Sequence, residues 1–255
     1  MKMVVFSSNT AHLIHLFFEW AAIATGVQLY RRQRAGAGSS GLLQPGEYGI
    51  LIGCILGAAI GNKLVFWLEF PHLWNVASHD VTAWMSGQSI VGGLLGGLIG
   101  VELAKKLTGV TRSTGDNFVM PLIVGTVIGR IGCFLAGLND GTFGNPTTMP
   151  WGVDFGDGIA RHPTQIYDMV FVLCWGVILR AIWTKPLADA PGLSFKFYLL
   201  GYLCWRLAVD GIKPIPYRYP AGLSRIQWVC LIAILLYLPF ILRQLQKKDH
   251  DARTA

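Results

Sequence analysis

The sequence predicts an all-α integral membrane protein of seven transmembrane helices, with its N-terminus outside and its C-terminus in the cytoplasm. Three observations carry that expectation. Of 255 residues, 53% are hydrophobic and only 14% charged, and the mean hydropathy is +0.47; a soluble domain carries roughly a quarter charged residues. Apolar runs near the length that crosses hydrocarbon, about 20 residues, recur seven times. Lys and Arg are unevenly divided between alternate connections, 13 on one side and 5 on the other, and the richer side is cytoplasmic. The net charge of +7 then reads as anchoring charge beside anionic lipid. Nucleic-acid binding is not expected, because no basic stripe carries aromatics placed to stack bases.

The first span is expected over about His15 to Tyr30, closed by Arg31, Arg32 and Arg34. A Gly/Ser-rich linker (residues 35–46) leads to a second, Glu47 to about Phe70. The third covers about Val81 to Ala104 and is closed by Lys105, Lys106 and Arg112. It contains GGLLGGLIG, whose glycines recur four apart on one face and let another backbone approach closely. No lysine and hydroxyl follow at the offset of a phosphate-cradling loop. The fourth runs from about Asn117 to Leu138, and the loop 139–164 follows. The fifth is about Gln165 to Trp183, the sixth Ser194 to Gly211 and the seventh Ile226 to Leu242. The whole chain, 1–255, is read as a single polytopic membrane domain. Residues 139–164 are its outward-facing loop and 243–255 a cytoplasmic polar tail. No cleavable leader is expected, since no small-residue cleavage site follows a short apolar core. The five cysteines lie in or beside apolar runs with no CxxC spacing or histidine partner, so no metal and no cofactor is expected.

Chemistry concentrates between Gly129 and Asp168. Charge inside an apolar run is costly and marks a functional site by default. Arg130 stands near the outer end of the fourth span. It either snorkels or fixes helix register, or it binds an anion, because guanidinium presents a bidentate fork to phosphate. Gly129 and Gly132 flank it and leave room for a headgroup. Arg206 and Asp210, four apart, share a helix face. They form either an internal ion pair or a phosphate-binding arginine with its orienting carboxylate. His162 opens the fifth helix with Pro163 beside it, and is an interfacial cap or an acid/base and headgroup donor. Gln165, Tyr167 and Asp168 follow. Asp168 is a partner for a cation, and Tyr167 an interfacial anchor or headgroup donor. Asn139, Asp140 and Asp154 are compatible with turn chemistry. Glu19 and Lys63 are two further charges within spans.

These residues resemble a known family. Gly129-Arg130-Ile131-Gly132 with Phe134 and Gly141 is similar to the signature region of bacterial prolipoprotein diacylglyceryl transferases. His162-Pro163-Thr164-Gln165-Ile166-Tyr167-Asp168 resembles their HPSQLYE segment. Arg206 to Asp210 resembles their Arg-x-x-x-Glu element, and Gln227 stands where the family has a glutamine opening its last helix. The resemblance implies a bacterial cytoplasmic (inner) membrane enzyme. Such an enzyme would transfer diacylglycerol from phosphatidylglycerol, or a similar anionic phospholipid, to the lipobox cysteine of a preprolipoprotein. Arg130, His162, Arg206 and Asp210 would be catalytic. Gly129, Gly132, Gly141, Gln165, Tyr167, Asp168 and Gln227 would line the substrate. A thiol must lose its proton to attack, and the leaving phosphate needs cations.

The chain departs from the family at several places. Val91 replaces a third-span histidine, Cys133 an asparagine, and Leu138 a glutamate, with Asn139 and Asp140 beside it. Ala59 replaces a second-span arginine, with Lys63 one turn on. Cys133 is a packing thiol or a new nucleophile. These departures point to a divergent relative. They keep two alternatives open: another acceptor for the same donor, or a non-catalytic lipid-binding or transport protein.

Overall fold

The structure, a computed structural model, describes residues 2–3, 5–36, 45–70, 87–182, 190–215 and 219–254. The described residues form seven α-helices: α1 (Ser8–Gly36), α2 (Pro45–Glu69), α3 (Ile90–Thr108), α4 (Val119–Ala136), α5 (Thr164–Ile182), α6 (Leu193–Val209) and α7 (Arg225–Thr254). One two-stranded antiparallel hairpin joins β1 (Val153–Asp154) to β2 (Ala160–Arg161). Among the described residues, five helical stretches are long and apolar enough to cross a membrane: Ser8–Arg34, Tyr48–Glu69, Asp116–Asp140, Thr164–Ala181 and Arg225–Lys247. The all-α membrane class therefore stands.

Several ends differ from the hydropathy pattern for local reasons. α1 starts well before His15 because the Ser7 hydroxyl accepts the Thr10 N–H at 3.3 Å, an N-cap. The third helix begins at Ile90, not Val81. Ser89 caps it, its Oγ accepting the Gly92 N–H at 3.4 Å. Gly87, at φ +67, is not helical. Residues 81–86 of that expected span lie outside the described residues, as do 37–44 of the linker and 183 at the end of the fifth span. The polar tail continues α7 as helix to Thr254, since its Gln, Lys, Arg and Ala are good helix formers.

The chain divides into two compact units. In the unit made of Leu42–Ser113 and Ile215–Ala255, α2 and α3 pack backbone to backbone. A Cβ added at Gly57 would overlap the Gly96 carbonyl oxygen, one at Gly61 that of Gly92, and one at Gly100 that of Gly53. The glycine stripe of α3 thus serves helix packing, against a matching stripe on α2. Lys63 donates to the Gly87 carbonyl at 2.9 Å. α7 opens with a capping box: Gln227 Oε1 accepts the Ser224 N–H at 2.9 Å, and Ser224 Oγ accepts the Gln227 N–H at 3.1 Å.

In the other unit, Met1–Gly41 and Thr114–Pro214, α1 lies along α4. Tyr30 stacks on Phe118 with centroids 4.6 Å apart. Gly132 faces Phe18, whose Cβ would lie 2.5 Å from an added Cβ, so this glycine seats α1. Ile123, Leu179 and Tyr198 join α4, α5 and α6 in a buried cluster. Asp116, just before α4, caps α6 from outside: its Oδ1 accepts the Phe195 N–H at 3.0 Å and its Oδ2 the Gly192 N–H at 2.5 Å. A carboxylate there satisfies orphan amides and meets the positive end of the helix dipole. Asp116→Ala is expected to lower stability by about 1–2 kcal/mol, with Asp116→Asn recovering part of the loss in thermal unfolding.

Candidate functional site

The loop 139–164 is a folded element. Gly144 N–H donates to the His162 carbonyl at 2.8 Å, His162 N–H to the Asn145 carbonyl at 3.1 Å, and Thr147 N–H to the Ala160 carbonyl at 2.8 Å. A side chain at Gly144 would collide with His162 Cβ at 2.6 Å, so the close approach requires glycine. Asp154 does serve turn chemistry: its Oδ1 accepts the N–H groups of Gly156 and Gly158 at 2.8 and 3.0 Å. Those bonds, led by Gly156, hold its carboxyl below the usual range. Asp157 grips Arg161 through two bonds of 2.7 Å, and that guanidinium holds the Asp157 carboxyl low. Phe155 packs edge-on against Phe134 of α4 at 5.9 Å. The Asn145 N–H donates to the Ile212 carbonyl at 2.8 Å, which ties the loop to the end of α6.

Beneath this loop lies a buried charge network. Arg130 sits in the second half of α4, Asp168 in the first turns of α5, and Arg206 in the last turn of α6. Asp168 is favoured at a helix start and Arg206 at a helix end by the dipole. Arg130 Nε lies 2.9 Å from Asp168 Oδ2, Arg206 Nη1 3.7 Å from the same oxygen, and Arg206 Nη2 2.9 Å from Asp210 Oδ1. Trp205 Nε1 donates to Asp168 Oδ1 at 2.7 Å, and Phe171 stacks on Trp205 at 4.6 Å. Asp168 is wholly buried, and Arg130, Arg206 and Asp210 nearly so. Two guanidiniums thus flank one carboxylate oxygen. Arg206 Nε and Nη1 have no hydrogen-bond acceptor among the described residues, nor has either amide atom of the fully buried Gln165 a partner. Leaving such groups unmet costs about 1–3 kcal/mol each, more for charged ones, so an arriving acceptor is rewarded.

The other expected site residues are distributed around this network. A Cβ at Gly129 would meet nothing within 4 Å, and the same holds at Gly141, whose φ is +67. Trp151 Nε1 donates to the Tyr167 hydroxyl at 2.7 Å, and that hydroxyl lies 3.1 Å from His162 Nδ1. Since an indole only donates, the Tyr167 proton is left for His162 Nδ1. Among the described residues, no hydrogen bond or ion pair joins His162 to Arg130 or Arg206. Gln227 belongs to the other unit, in the capping box described above.

Two features lie outside the sequence reading. Lys213 follows α6, its N–H bonded to the Asp210 carbonyl at 3.2 Å. Burial, then Arg206 and Arg130, push its ammonium down to about 7. Asp140 does more than local turn chemistry: its Oδ2 accepts the Thr142 hydroxyl, and its Oδ1 lies 3.0 Å from His15 Nδ1. No local spacing links residue 15 to residue 140; only the packing of α1 along α4 does.

Fold and site together define an all-α membrane protein with a buried pair of arginines that share one carboxylate. The profile of the prolipoprotein diacylglyceryl transferase family matches residues 16–243. A phosphatidylglycerol--prolipoprotein diacylglyceryl transferase of Bordetella parapertussis is 30% identical over 193 residues, covering 71% of each chain. Proteins of the same name are 33% identical over 193 residues in Polynucleobacter asymbioticus (73% of this chain, 71% of that one) and 31% over 212 residues in Dehalococcoides mccartyi (77% and 78%). The chain belongs to the prolipoprotein diacylglyceryl transferase family, and it is a transferase.

Proposed function

We propose that this chain transfers the diacylglyceryl group of phosphatidylglycerol to the lipobox cysteine of a preprolipoprotein. The observation that carries the donor half is the Arg130–Asp168–Arg206 arrangement. Two guanidiniums converge on one carboxylate oxygen, and Arg206 keeps N–H groups with no acceptor. Arg130, Arg206 and Lys213 face Asp168 and Asp210, so with Lys213 protonated a monoanionic phosphodiester balances the charge. The geometry supports Arg130 and Arg206 on the phosphate, Asp168 setting their spacing, and Asp210 orienting Arg206. Gln165 contributes its unmet amide, and the space beside Gly129 and Gly141 takes the headgroup. The thiolate attacks the glyceryl carbon, the C–O bond to phosphate breaks, and glycerol phosphate leaves with its charge on the arginines. His162, oriented by Tyr167, donates to the headgroup or moves a proton.

The same reading places seven spans in one polytopic domain of the bacterial inner membrane, N-terminus outside. The loop 139–164 then faces outward, the tail 243–255 lies in the cytoplasm, and chemistry occurs at the outer leaflet. The Lys/Arg asymmetry supports that orientation. The test is incubation of purified protein with phosphatidylglycerol and a lipobox peptide, reading peptide mass. A gain of one diacylglyceryl group, absent with Arg130→Ala, is expected. Release of glycerol phosphate without a peptide product favours the second reading, another acceptor for the same donor, which Val91 in the histidine's place supports.

Lys213 adds a pH dependence. An entering phosphate raises the affinity of the ammonium for its proton, so donor binding takes up a proton above about pH 7. KM for phosphatidylglycerol is therefore expected to rise as pH climbs through about 7, and Lys213→Met to flatten that rise.

A further inference from the structure

His15 of α1, Cys133 near the end of α4 and Asp140 of the short helix Gly137–Asp140 bring three different donor atoms together. One imidazole nitrogen, the Cys133 Sγ and an Asp140 carboxylate oxygen all lie within 4.8 Å of one another. His15 Nδ1 and Asp140 Oδ1 are 3.0 Å apart. The Thr142 hydroxyl holds the other carboxylate oxygen, Oδ2, so Oδ1 is turned into the cluster. Arg130 Nη1 stands 3.8 Å from the Cys133 Sγ. The Asp140 side chain and Cys133 are both nearly closed to solvent.

Two chemistries use these residue types, and geometry separates them. In a nucleophile–base–carboxylate relay, thiol and carboxylate bond to opposite ring nitrogens and are held apart by the ring. Here sulfur and carboxylate oxygen lie near one ring nitrogen and near each other, so the donors converge on a point. Converging imidazole, thiolate and carboxylate ligands are the donor set of a borderline-soft, four-coordinate dication such as Zn2+, and three protein ligands leave its fourth position open. Thiolate and carboxylate together neutralise the dication, which suits an apolar setting. The Thr142 hydroxyl on the carboxylate and the Arg130 N–H toward the sulfur are outer partners of the kind that orient metal ligands.

We propose that His15, Cys133 and Asp140 form a site for a thiophilic divalent cation, Zn2+ by preference. We further propose that its open position takes the acceptor thiol as thiolate. The second clause rests on the proposed transfer reaction; the first does not. On binding, the acceptor S–H loses its proton to solvent. The sulfur lone pair then forms the S–C bond to the glyceryl carbon while the C–O bond breaks and its electron pair stays on the phosphate oxygen. The cation is unchanged and no oxidant or reductant takes part. Arg130 makes the two halves one site, because its Nε faces Asp168 in the arginine network and its Nη1 faces Cys133.

The test uses the full-length protein in detergent, stripped with a chelator and titrated with Zn2+ or Co2+ alone. One equivalent per chain is expected. The Co2+ form should show a thiolate-to-cobalt charge-transfer band that Cys133→Ser removes and Cys174→Ser, at an exposed thiol, leaves intact. Thr142→Val should weaken Zn2+ binding roughly 10–100-fold while its circular dichroism stays that of wild type. Absence of stoichiometric uptake by folded wild type, or a band that survives Cys133→Ser, overturns the site. Stoichiometric metal in a protein that transfers nothing keeps the site and overturns the transfer reading. Full-rate transfer by metal-free protein keeps the transfer reading and overturns the cation's role in it.

Discussion

Asp168→Leu is expected to destabilise the protein by roughly 3–5 kcal/mol, the cost of breaking a buried ion network by removing one partner. Asp168 is the shared anion of the network: Arg130 Nε and Arg206 Nη1 lie on its Oδ2 and Trp205 Nε1 on its Oδ1. Without it two cations face each other in a closed space and an indole N–H loses its acceptor. Asp168→Asn should be milder, since a side-chain oxygen can still accept from Trp205. Adding Arg206→Met to Asp168→Leu should recover part of the loss, because like-charge repulsion goes with the second cation. Thermal unfolding in detergent measures all three; an Asp168→Leu change within about 0.5 kcal/mol of wild type, the size of an ordinary surface substitution, would refute the network's role.

Arg130→Ala is expected to lower kcat/KM for the donor about a hundred- to a thousandfold, the usual loss when one preorganised charge-stabilising donor is removed. Asp168 and Arg206 remain paired in that variant, so the fold should persist. Arg130→Lys keeps the charge but loses the planar fork, and should fall between the two. Initial rates at limiting phosphatidylglycerol separate the three proteins. Equal rates for Arg130→Ala and wild type would remove Arg130 from the reaction.

What the sequence could show was set by how local each signal is. Arg206 and Asp210 are one helical turn apart, so their shared face could be read directly, and the structure pairs them at 2.9 Å. The glycine stripe of α3 was equally plain, but its partner, the stripe Gly53, Gly57 and Gly61 on α2, acquires meaning only once the two backbones touch. Gly132 reads from sequence as space beside Arg130, yet it is filled by Phe18 of α1. Helix packing and headgroup room leave the same residue in the sequence. Lys213 looked like one more charge on the outer side; only the turn after α6 sets it near the two arginines. His15, Cys133 and Asp140 come from three segments that no periodicity connects, and only the packing of α1 along α4 brings His15 there. The helix starts that shifted most, at Ser8 and Ile90, are those set by a serine cap rather than by hydropathy.

In the proposed reaction Arg130 and Arg206 hold the donor through its phosphate. Native mass spectrometry of the detergent-solubilised protein, offered phosphatidylglycerol and diacylglycerol in equal amounts, tests it directly, since the two lipids differ by the phosphoglycerol headgroup. Wild type is expected to retain phosphatidylglycerol over diacylglycerol by about tenfold or more, the equivalent of about 1.4 kcal/mol, and Arg130→Ala to erase most of that preference. A variant that still discriminates as well as wild type would contradict it.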